Sequence, residues 1–269
     1  MNSKKYLSSI GIENKIETLS DIELLIKSHI STFAFSSISV LLKKELSLDL
    51  SDILQRFIDK KAGGYCFEHN KIMYETLKSH GFEVKSIFGR VLNNRKDITP
   101  PKTHRFNLLK YRGEEYIIDV GFGYMSPSKP IKFGNTPTKA TLDKSYIIKN
   151  INNSSYELQI ITENAPYILY SFDLQNYNEI DFEVGHFYSH KHPEAVFVNN
   201  LVLSLIKENE ILSLRNNSFQ KLSKDKKEEL IIDSVDKFKY ILESDFNYSL
   251  NEDDADFLYK NFVEKLTRD

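Results

Sequence analysis

The strongest constraint on the fold is a change of hydrophobic period near residue 82. Before this point, apolar side chains recur every three to four positions, which is the spacing of one helix face. Ser20 and Glu23 have the spacing of a capping box at the start of the first such run. The pattern predicts helices at residues 21–34, 48–60 and 66–81. We therefore expect the first third of the chain to form a helical bundle.

After residue 82 the period falls towards two, which is the spacing of a strand with one buried face. Strands are predicted at residues 83–92, 104–111, 115–122, 145–150, 156–162, 167–172, 200–206 and 211–215. Helices are predicted to begin near Ser223, Ser234 and Asn251. This order predicts an α+β protein of three consecutive subdomains, with bounds 1–82, 83–190 and 191–269.

Cysteine usage restricts both the compartment and the chemistry. Cys66 is the single cysteine among 269 residues, so no disulfide can form within the chain and the thiol is free. A free thiol favours a reducing compartment, and the sequence shows neither a signal peptide nor an apolar run of about 20 residues. We therefore expect a cytoplasmic protein without membrane contact. The formal net charge of −2 provides no overall field that would attract nucleic acid.

The context of Cys66 is that of a candidate nucleophile. Gly63 and Gly64 precede it by three and two residues, and a helical pattern follows it. The unpaired amides and the partial positive charge of a helix N-terminus favour a thiolate. The alternative is a small buried hydrophobic residue, which is the more common role of a lone cysteine.

A base and an orienting group for this thiol are provided by His104 and Asp119. If the strands flanking Arg112 and Gly113 pair as a hairpin, residues whose numbers sum to about 225 lie opposite each other. His104 then faces position 121, and Asp119 becomes its diagonal neighbour on the same face. The alternative is a surface pair of histidine and aspartate at a strand end.

The other histidines predict no site of their own. A strand at residues 186–192 would point His190 and His192 to one face, as paired metal ligands do. Gly185 and Pro193 interrupt regular structure there, so we interpret this segment as a polar loop near the active cleft. The remaining three lie on predicted helix faces without an evident partner: His29, His69 and His80.

Three segments together carry a family resemblance. Residues 63–70 read GGYCFEHN, a histidine follows at the start of a predicted strand, and residues 116–123 read YIIDVGFG. In order and spacing they resemble the signature segments of the arylamine N-acetyltransferases, and the similarity extends over most of residues 5–220. The resemblance implies an N-terminal helical bundle, a central antiparallel β-barrel and a C-terminal α/β lid, with a catalytic core like that of cysteine proteases.

The resemblance also implies a reaction. Cys66 would take an acetyl group from acetyl-CoA, His104 would accept the thiol proton, and Asp119 would hold the imidazolium. The acetyl group would then pass to the nitrogen of an arylamine or hydrazine, or to the oxygen of an arylhydroxylamine, in a ping-pong mechanism. No metal or prosthetic group is implied, and we expect a monomer or a weak homodimer.

Substrate and cofactor contacts follow from the same resemblance and from proximity. Phe122 and Val91 match positions that line the acyl and amine pocket of the family, and Phe35 is expected to line it as well. Thr103 and Arg105 flank His104, so we expect them to contact CoA.

The sequence departs from the family pattern at a pair of positions. Ala62 stands where the family has an arginine before the two glycines, and Ser36 stands where it has a carboxylate. Losing both members of a buried ion pair can be close to neutral, whereas losing one is costly. We interpret the change as a structural exchange in which Lys61 does not replace the arginine.

Three other functions fit the same residues. An amide synthase of this fold would use an acyl chain bound to a carrier protein, and a cysteine hydrolase would resolve the acyl-enzyme with water. A binding protein could retain the fold without catalysis.

Overall fold

The computed structural model describes residues 3–95, 97–152 and 154–264. The first part of the chain is helical, as predicted, and a two-residue strand, β1 (Phe35–Ser36), interrupts it. Its helices are α1 (Ser3–Ser9), α2 (Leu19–Thr32), α3 (Ile38–Leu41), α4 (Leu50–Leu54), which continues as a π-helical turn (Gln55–Asp59), and α5 (Cys66–Ser79). Buried apolar side chains of α2 and α5 form one core together with Phe57 of the π-helical turn.

Helix α2 starts earlier than predicted because a different capping box forms. Thr18 is the N-cap, and its hydroxyl accepts a hydrogen bond from the Asp21 amide at 3.2 Å. The Asp21 carboxylate accepts one in return from the Thr18 amide at 2.8 Å. The predicted pair of Ser20 and Glu23 is therefore wrong, and Glu23 forms an ion pair with Lys27 instead.

An antiparallel sheet forms the middle of the chain and curls into a nearly closed barrel. Its strands are β2 (Glu83–Val91), β3 (His104–Tyr111), β4 (Glu114–Ile118), β5 (Ile131–Lys132), β6 (Thr138–Lys139), β7 (Ser145–Asn152), β8 (Ser155–Ile161) and β9 (Tyr167–Phe172). They lie in the order β5-β4-β3-β2-β9-β8-β7-β6. In the hairpin of β3 and β4, Asn107 pairs with Ile118 and Leu108 with Ile117, so the predicted sum of 225 is confirmed.

Strand β3 is buried on both faces because it lies between the barrel interior and helix α5. Phe106 and Leu108 pack in the barrel core. Leu109 packs with the helical core, and the Asn107 side-chain amide donates to the carbonyl of Asn70 on α5 at 2.9 Å. Successive strand residues point to opposite faces, so this strand joins the two cores.

A second antiparallel sheet follows and takes its first strand from the helical part. Its order is β1, β10 (Val202–Ile206), β11 (Ile211–Arg215), β12 (Ser218–Leu222) and β13 (Lys227–Ile231). The helix predicted to begin near Ser223 is wrong, because this residue lies in the turn between β12 and β13. Helices α8 (Val235–Phe246) and α9 (Glu252–Leu258) begin after Ser234 and Asn251 as predicted, and a π-helical turn (Tyr259–Val263) follows.

The segment around His186 is helical, so the predicted polar loop is wrong. Helix α6 (Glu179–Lys191) begins at an Asn178 capping box and ends before Pro193, and α7 (Val196–Asn199) follows it. Position 185 inside α6 requires glycine, because a Cβ there would collide with the ring of Phe88. The buried His186 ring then lies 2.6 Å from the Tyr65 hydroxyl and 2.8 Å from the Leu46 carbonyl oxygen.

The predicted α+β class with its three consecutive parts is confirmed. The division at residues 82 and 190 stays a prediction. Within the described ranges, no helix combines the length and the apolar character that a bilayer crossing requires.

We expect the fold to lose stability in mild acid partly through His186. Burial disfavours the charged ring and lowers the pKa of His186 to about 4. The unfolded chain binds a proton near pH 6.5, so the stabilisation is complete above that pH and is lost as the pH falls towards 4. The loss amounts to roughly 3 kcal/mol.

Urea unfolding between pH 4.5 and 8 measures this effect. A His186→Gln variant keeps a donor and an acceptor but does not titrate, so its stability should fall less steeply in acid and match the parent protein near pH 8. Equal acid slopes for the two proteins would contradict the assignment.

Candidate active site

Cys66 is the first residue of α5, and two local features place it there. Gly63 has φ +63°, a conformation that favours glycine, and the loop then enters the helix through an extended Tyr65. The Glu68 carboxylate accepts a hydrogen bond from the Tyr65 amide at 3.0 Å, so one of the free amides of the helix end is satisfied. The predicted position of the thiol at a helix N-terminus is therefore confirmed. Cys66 is only 4% exposed.

His104 and Asp119 meet at the end of the β3–β4 hairpin, as the register predicts. Nε2 of His104 lies 2.7 Å from Oδ2 of Asp119, and both side chains are buried. This leaves Nδ1 of the ring for the sulfur, and a hydrogen bond between His104 and Cys66 contributes to the charge state of the imidazole. The three side chains therefore form one connected set, and the surface-pair alternative is wrong.

The electrostatics of the set favour an imidazolium beside a carboxylate. Burial disfavours the charged ring, but the charge and the hydrogen bond of Asp119, together with Cys66, outweigh it and raise the pKa of His104 to about 10. Burial would also raise the pKa of Asp119, yet the charge and hydrogen bond of His104 keep it below its ordinary value. His104 therefore carries a proton at neutral pH.

Asn70 orients Asp119, a role that no sequence motif predicted. Its side-chain nitrogen donates to Oδ1 of Asp119 at 3.0 Å and to the carbonyl of Arg105 at 2.7 Å. Its side-chain oxygen accepts from the Val120 amide at 3.1 Å. Asn70 follows Cys66 by four residues, so the helical period alone places both on one face of α5. That spacing is the signal that could have identified it.

Aromatic rings surround His104 on the barrel side. The predicted pocket residue Phe122 meets the imidazole edge-on, with ring centroids 5.0 Å apart. Tyr170 lies 4.7 Å from the imidazole and Phe106 5.8 Å. The ring at position 122 is half-buried, so it can form a wall beside the triad.

The other predicted substrate and cofactor contacts, Val91, Phe35 and Thr103, lie at three different places around the triad. Val91 is half-buried at the end of β2, opposite Tyr170 of β9. Phe35 is buried in β1 and lies next to Gly123, one residue after Phe122. The Cys66 sulfur lies 3.4 Å from the carbonyl oxygen of Thr103, which places Thr103 beside the thiol.

Arg105 does not have the position expected of a CoA contact. It follows His104 in β3, so its side chain points to the opposite face, where it is fully buried. Its guanidinium binds both carboxylate oxygens of Glu179 at 2.8 and 3.1 Å, and it also donates to Ser86. A buried guanidinium in a bidentate pair is unavailable to a phosphate, so Arg105 is not part of the proposed cofactor site.

A different ion pair lies beside the position where the family arginine is missing. Arg56 of the π-helical turn binds the fully buried carboxylate of Glu68. The backbone carbonyl of Arg56 also accepts a hydrogen bond from the Ala62 amide at 3.0 Å. Burial raises the pKa of Glu68 despite this partner. Lys61 is exposed and Ser36 is buried. The loop before Cys66 is therefore held by Arg56 and Glu68.

The remaining histidines of α6 do not form a metal centre. Nδ1 of His190 lies 2.6 Å from the carbonyl of His186, one turn earlier, and His192 caps the end of the helix. In the described part of the chain, no three His, Cys, Asp or Glu residues are arranged to hold a metal ion.

Comparisons with known proteins identify the family of the chain. A family profile described as N-acetyltransferase matches residues 16–255. The arylamine N-acetyltransferase of Escherichia coli (strain K12) is 31% identical over 188 residues, an alignment that covers 70% of this chain and 66% of that protein.

Solved structures show the same fold over nearly the whole chain. The arylamine N-acetyltransferase of Mycobacterium smegmatis has a TM-score of 0.90 and 25% identity, and the match covers 98% of this chain and 99% of that one. That of Mycobacterium marinum, in complex with CoA, has a TM-score of 0.88 and 22% identity, with coverage of 97% and 98%.

The fold and the site together define a class of protein. In this class, which consists of three-part α+β proteins, a cysteine at a helix N-terminus lies against a histidine and an aspartate of an antiparallel barrel. Within that class, this chain belongs to the arylamine N-acetyltransferase family. The predicted resemblance is thereby confirmed.

We expect Gly121→Ala to displace the nucleophile. A Cβ at this position would lie 2.7 Å from the Cα of Cys66 and 2.6 Å from the side-chain nitrogen of Asn70. Because the backbone of a helix start cannot yield easily, alkylation of Cys66 by iodoacetamide should slow at least about tenfold. The control is Gly113→Asn, at a turn where an added Cβ meets nothing within 4 Å and where asparagine tolerates positive φ. An alkylation rate equal to that of the control would refute this packing.

Ala62→Arg should destabilise the protein by about 1 to 3 kcal/mol, because Ser36 offers the new cation no carboxylate and Arg56 lies close by. Urea unfolding measures the change. Ala62→Met controls for side-chain volume, and adding Ser36→Glu to Ala62→Arg should recover part of the loss. Unchanged stability of the single arginine variant would show that the exchange is not structural.

Proposed function

We propose that this protein transfers an acetyl group from acetyl-CoA to the nitrogen of an arylamine or hydrazine, or to the oxygen of an arylhydroxylamine, through an acetyl-cysteine on Cys66. The observation that carries the proposal is the buried set of Cys66, His104 and Asp119, in a chain of the arylamine N-acetyltransferase family. In this arrangement the base lies between the nucleophile on one side and the orienting carboxylate on the other.

In the first half-reaction the Cys66 sulfur attacks the thioester carbonyl while His104 holds the thiol proton. A bond forms between the sulfur and the acetyl carbon, the bond to the CoA sulfur breaks, and His104 returns the proton to the departing CoA thiolate. Asp119 stays ionised and holds the imidazolium through Nε2.

In the second half-reaction the acceptor nitrogen attacks the acetyl-cysteine. The bond between carbon and the Cys66 sulfur breaks, and the nitrogen loses a proton to His104, so the pair of thiolate and imidazolium is regenerated. Sulfur is a good leaving group towards an amine, so this step needs no further acid.

The surroundings of the triad support a flat acceptor. Phe122 stands edge-on to the imidazole and is partly open, and Phe35 lies next to Gly123, close by along the chain. We assign these rings to the acceptor pocket, with Val91 at its edge, and we assign Thr103, beside the sulfur, to the CoA side. Aromatic walls bind planar ligands through apolar area and stacking.

CoA as the acyl carrier is supported by the Mycobacterium marinum structure, which shares this fold and contains CoA. The arylamine acceptor is supported by the names of the relatives. Location in the cytoplasm and a monomeric or weakly dimeric state stay predictions.

Intact-mass analysis tests the proposed function. Incubation with acetyl-CoA should add one acetyl group to the protein, and an added arylamine should remove it while the acetylated amine appears. Cys66→Ala should take no acetyl group. His104→Gln should acetylate on the order of 100-fold more slowly, because the sulfur loses its proton acceptor.

Other outcomes would each favour a different function. Loss of the acetyl group in water alone, as fast as with an arylamine, would indicate a hydrolase. Acylation from a carrier-bound acyl chain but not from acetyl-CoA would indicate an amide synthase. Absence of both acetylation and alkylation at Cys66 would indicate a binding protein.

A further inference from the structure

A hydrogen-bonded chain of three buried side chains, Tyr6, His29 and His69, lies beneath the nucleophile and takes no part in the proposed reaction. The Tyr6 hydroxyl oxygen lies 2.8 Å from Nδ1 of His29, and Nε2 of His29 lies 2.8 Å from Nδ1 of His69. The chain ends where Nε2 of His69 lies 3.3 Å from the carbonyl oxygen of Ala34. The exposed fraction of each side chain is at most 1%. The expectation that these histidines lack partners is therefore wrong.

Elementary chemistry fixes the direction of every bond in this chain. A carbonyl oxygen can only accept, so Nε2 of His69 carries the hydrogen. Burial disfavours the charged rings, lowers the pKa of His69 to about 4 and holds the pKa of His29 well below its ordinary value, so both rings are neutral. Nδ1 of His69 must then accept from His29, and Nδ1 of His29 must accept from Tyr6. Because each hydrogen bond can point in only one direction, the three side chains have a single hydrogen-bonded arrangement.

The chain ends at the junction that leads into Cys66. The Ser36 amide donates to the Gly64 carbonyl at 2.6 Å, and the Gly64 amide donates to the Ala34 carbonyl at 3.4 Å. The carbonyls of Ala34 and Gly64 both favour a proton on the His69 ring. His69 therefore joins Ala34, the residue before strand β1, to the glycine loop two residues before the nucleophile, and it does so from one turn further along α5.

The junction has little tolerance for movement. A Cβ on Gly63 would collide with the Ala34 carbonyl oxygen, and one on Gly64 would collide with the Glu68 carboxylate. The side chains at positions 36 and 62 are uncharged, so they supply no ion pair across it. The neutral donor of His69 is the side-chain group that bonds across this contact on the β1 side.

The same imidazole supports a proposed wall of the acceptor pocket. The Phe35 ring stacks on His69, with centroids 6.2 Å apart and planes at 13°. On another side Phe57 meets His69 edge-on at 4.8 Å. A displacement of His69 would therefore move both the loop before the sulfur and the ring at position 35.

We propose that Tyr6, His29 and His69 are positioning residues that fix the glycine loop and Phe35, and through them the Cys66 sulfur relative to His104. The inference rests on the proposed function only in so far as the sulfur is the nucleophile. It gives helix α1, which carries Tyr6 and contributes no side chain to the triad, a role in positioning the nucleophile.

The test compares four variants in the full chain. Tyr6→Phe removes one hydroxyl, His69→Leu removes the donor, and His69→Gln replaces it with an amide that can reach the Ala34 carbonyl. Thr76→Val is the matched control, because it deletes a buried hydrogen bond to the Ile72 carbonyl (2.7 Å) further along the same helix. For each variant we would measure urea stability, the alkylation rate of Cys66 by iodoacetamide, and kcat and KM for acetyl transfer.

We expect Tyr6→Phe and His69→Leu to slow alkylation and to lower kcat by about tenfold, since small displacements of a nucleophile have effects of this size. Thr76→Val should lose comparable stability without that slowing. His69→Gln should stay within about threefold of the parent protein, because its amide can donate in place of the ring. The KM for acetyl-CoA should change little, because the substituted side chains are buried beneath the loop and none of them is assigned to the CoA side.

Slowing no greater than that of Thr76→Val, or a His69→Gln variant as slow as His69→Leu, would overturn the proposal. If His69→Leu does not fold, Tyr6→Phe against Thr76→Val decides the question. Alkylation needs no acetyl-CoA, so it still decides when the parent protein takes no acetyl group. Failure of the parent protein to take an acetyl group would refute the proposed function, and the positioning role would then be judged by alkylation alone.

Discussion

The packing of helix α5 against strand β3 is the interaction on which the site depends. Two side-chain hydrogen bonds join the helix to the strand: Asn70 donates to the Arg105 carbonyl, and Asn107 donates to the Asn70 carbonyl. Apolar packing is non-directional and tolerates sliding, whereas paired amides fix the rise and rotation of a helix on a sheet. With that register set, the first residue of α5 meets the first residue of β3, and these are Cys66 and His104.

Two kinds of buried polar group surround this contact. On the barrel side the groups are charged and paired: His104 pairs with Asp119, and the buried guanidinium of Arg105 pairs with the exposed Glu179. Beneath the nucleophile loop, Tyr6, His29 and His69 are neutral and joined in series, whereas Arg56 and Glu68 form an ion pair beside the loop. Buried charges stay stable only with every partner present, while a neutral chain avoids most of the desolvation penalty. The neutral chain of histidines beneath the loop therefore does not compete with His104 for the thiol proton.

Local pattern and hairpin arithmetic predicted much of this molecule. The change of period separated the bundle from the barrel, and the sum of 225 placed Asp119 against His104. Features that depend on tertiary contact could not be read in this way. The side chain of Arg105 could have pointed either way until the partner Glu179 was known, and the strand after Ser223 has the charged pattern of an exposed helix but gains its hydrogen bonds from β12. Partners that are 23 to 40 residues apart, as in the histidine chain, leave no local signal.

Strand β1 has a consequence for how the chain reaches its native state. Phe35 pairs with Ser204 of β10 and also bridges to Gly64, so two residues join the beginning, the nucleophile loop and the late part of the chain. Contacts across such long sequence separations form late in folding, because a large loop must close first. During synthesis, a chain released only as far as β9 would hold the triad residues but lack the pairing that seats Phe35. Because β10 belongs to the second sheet, Phe35 gains this pairing only after most of the polypeptide has been synthesised. The site is therefore completed late in synthesis.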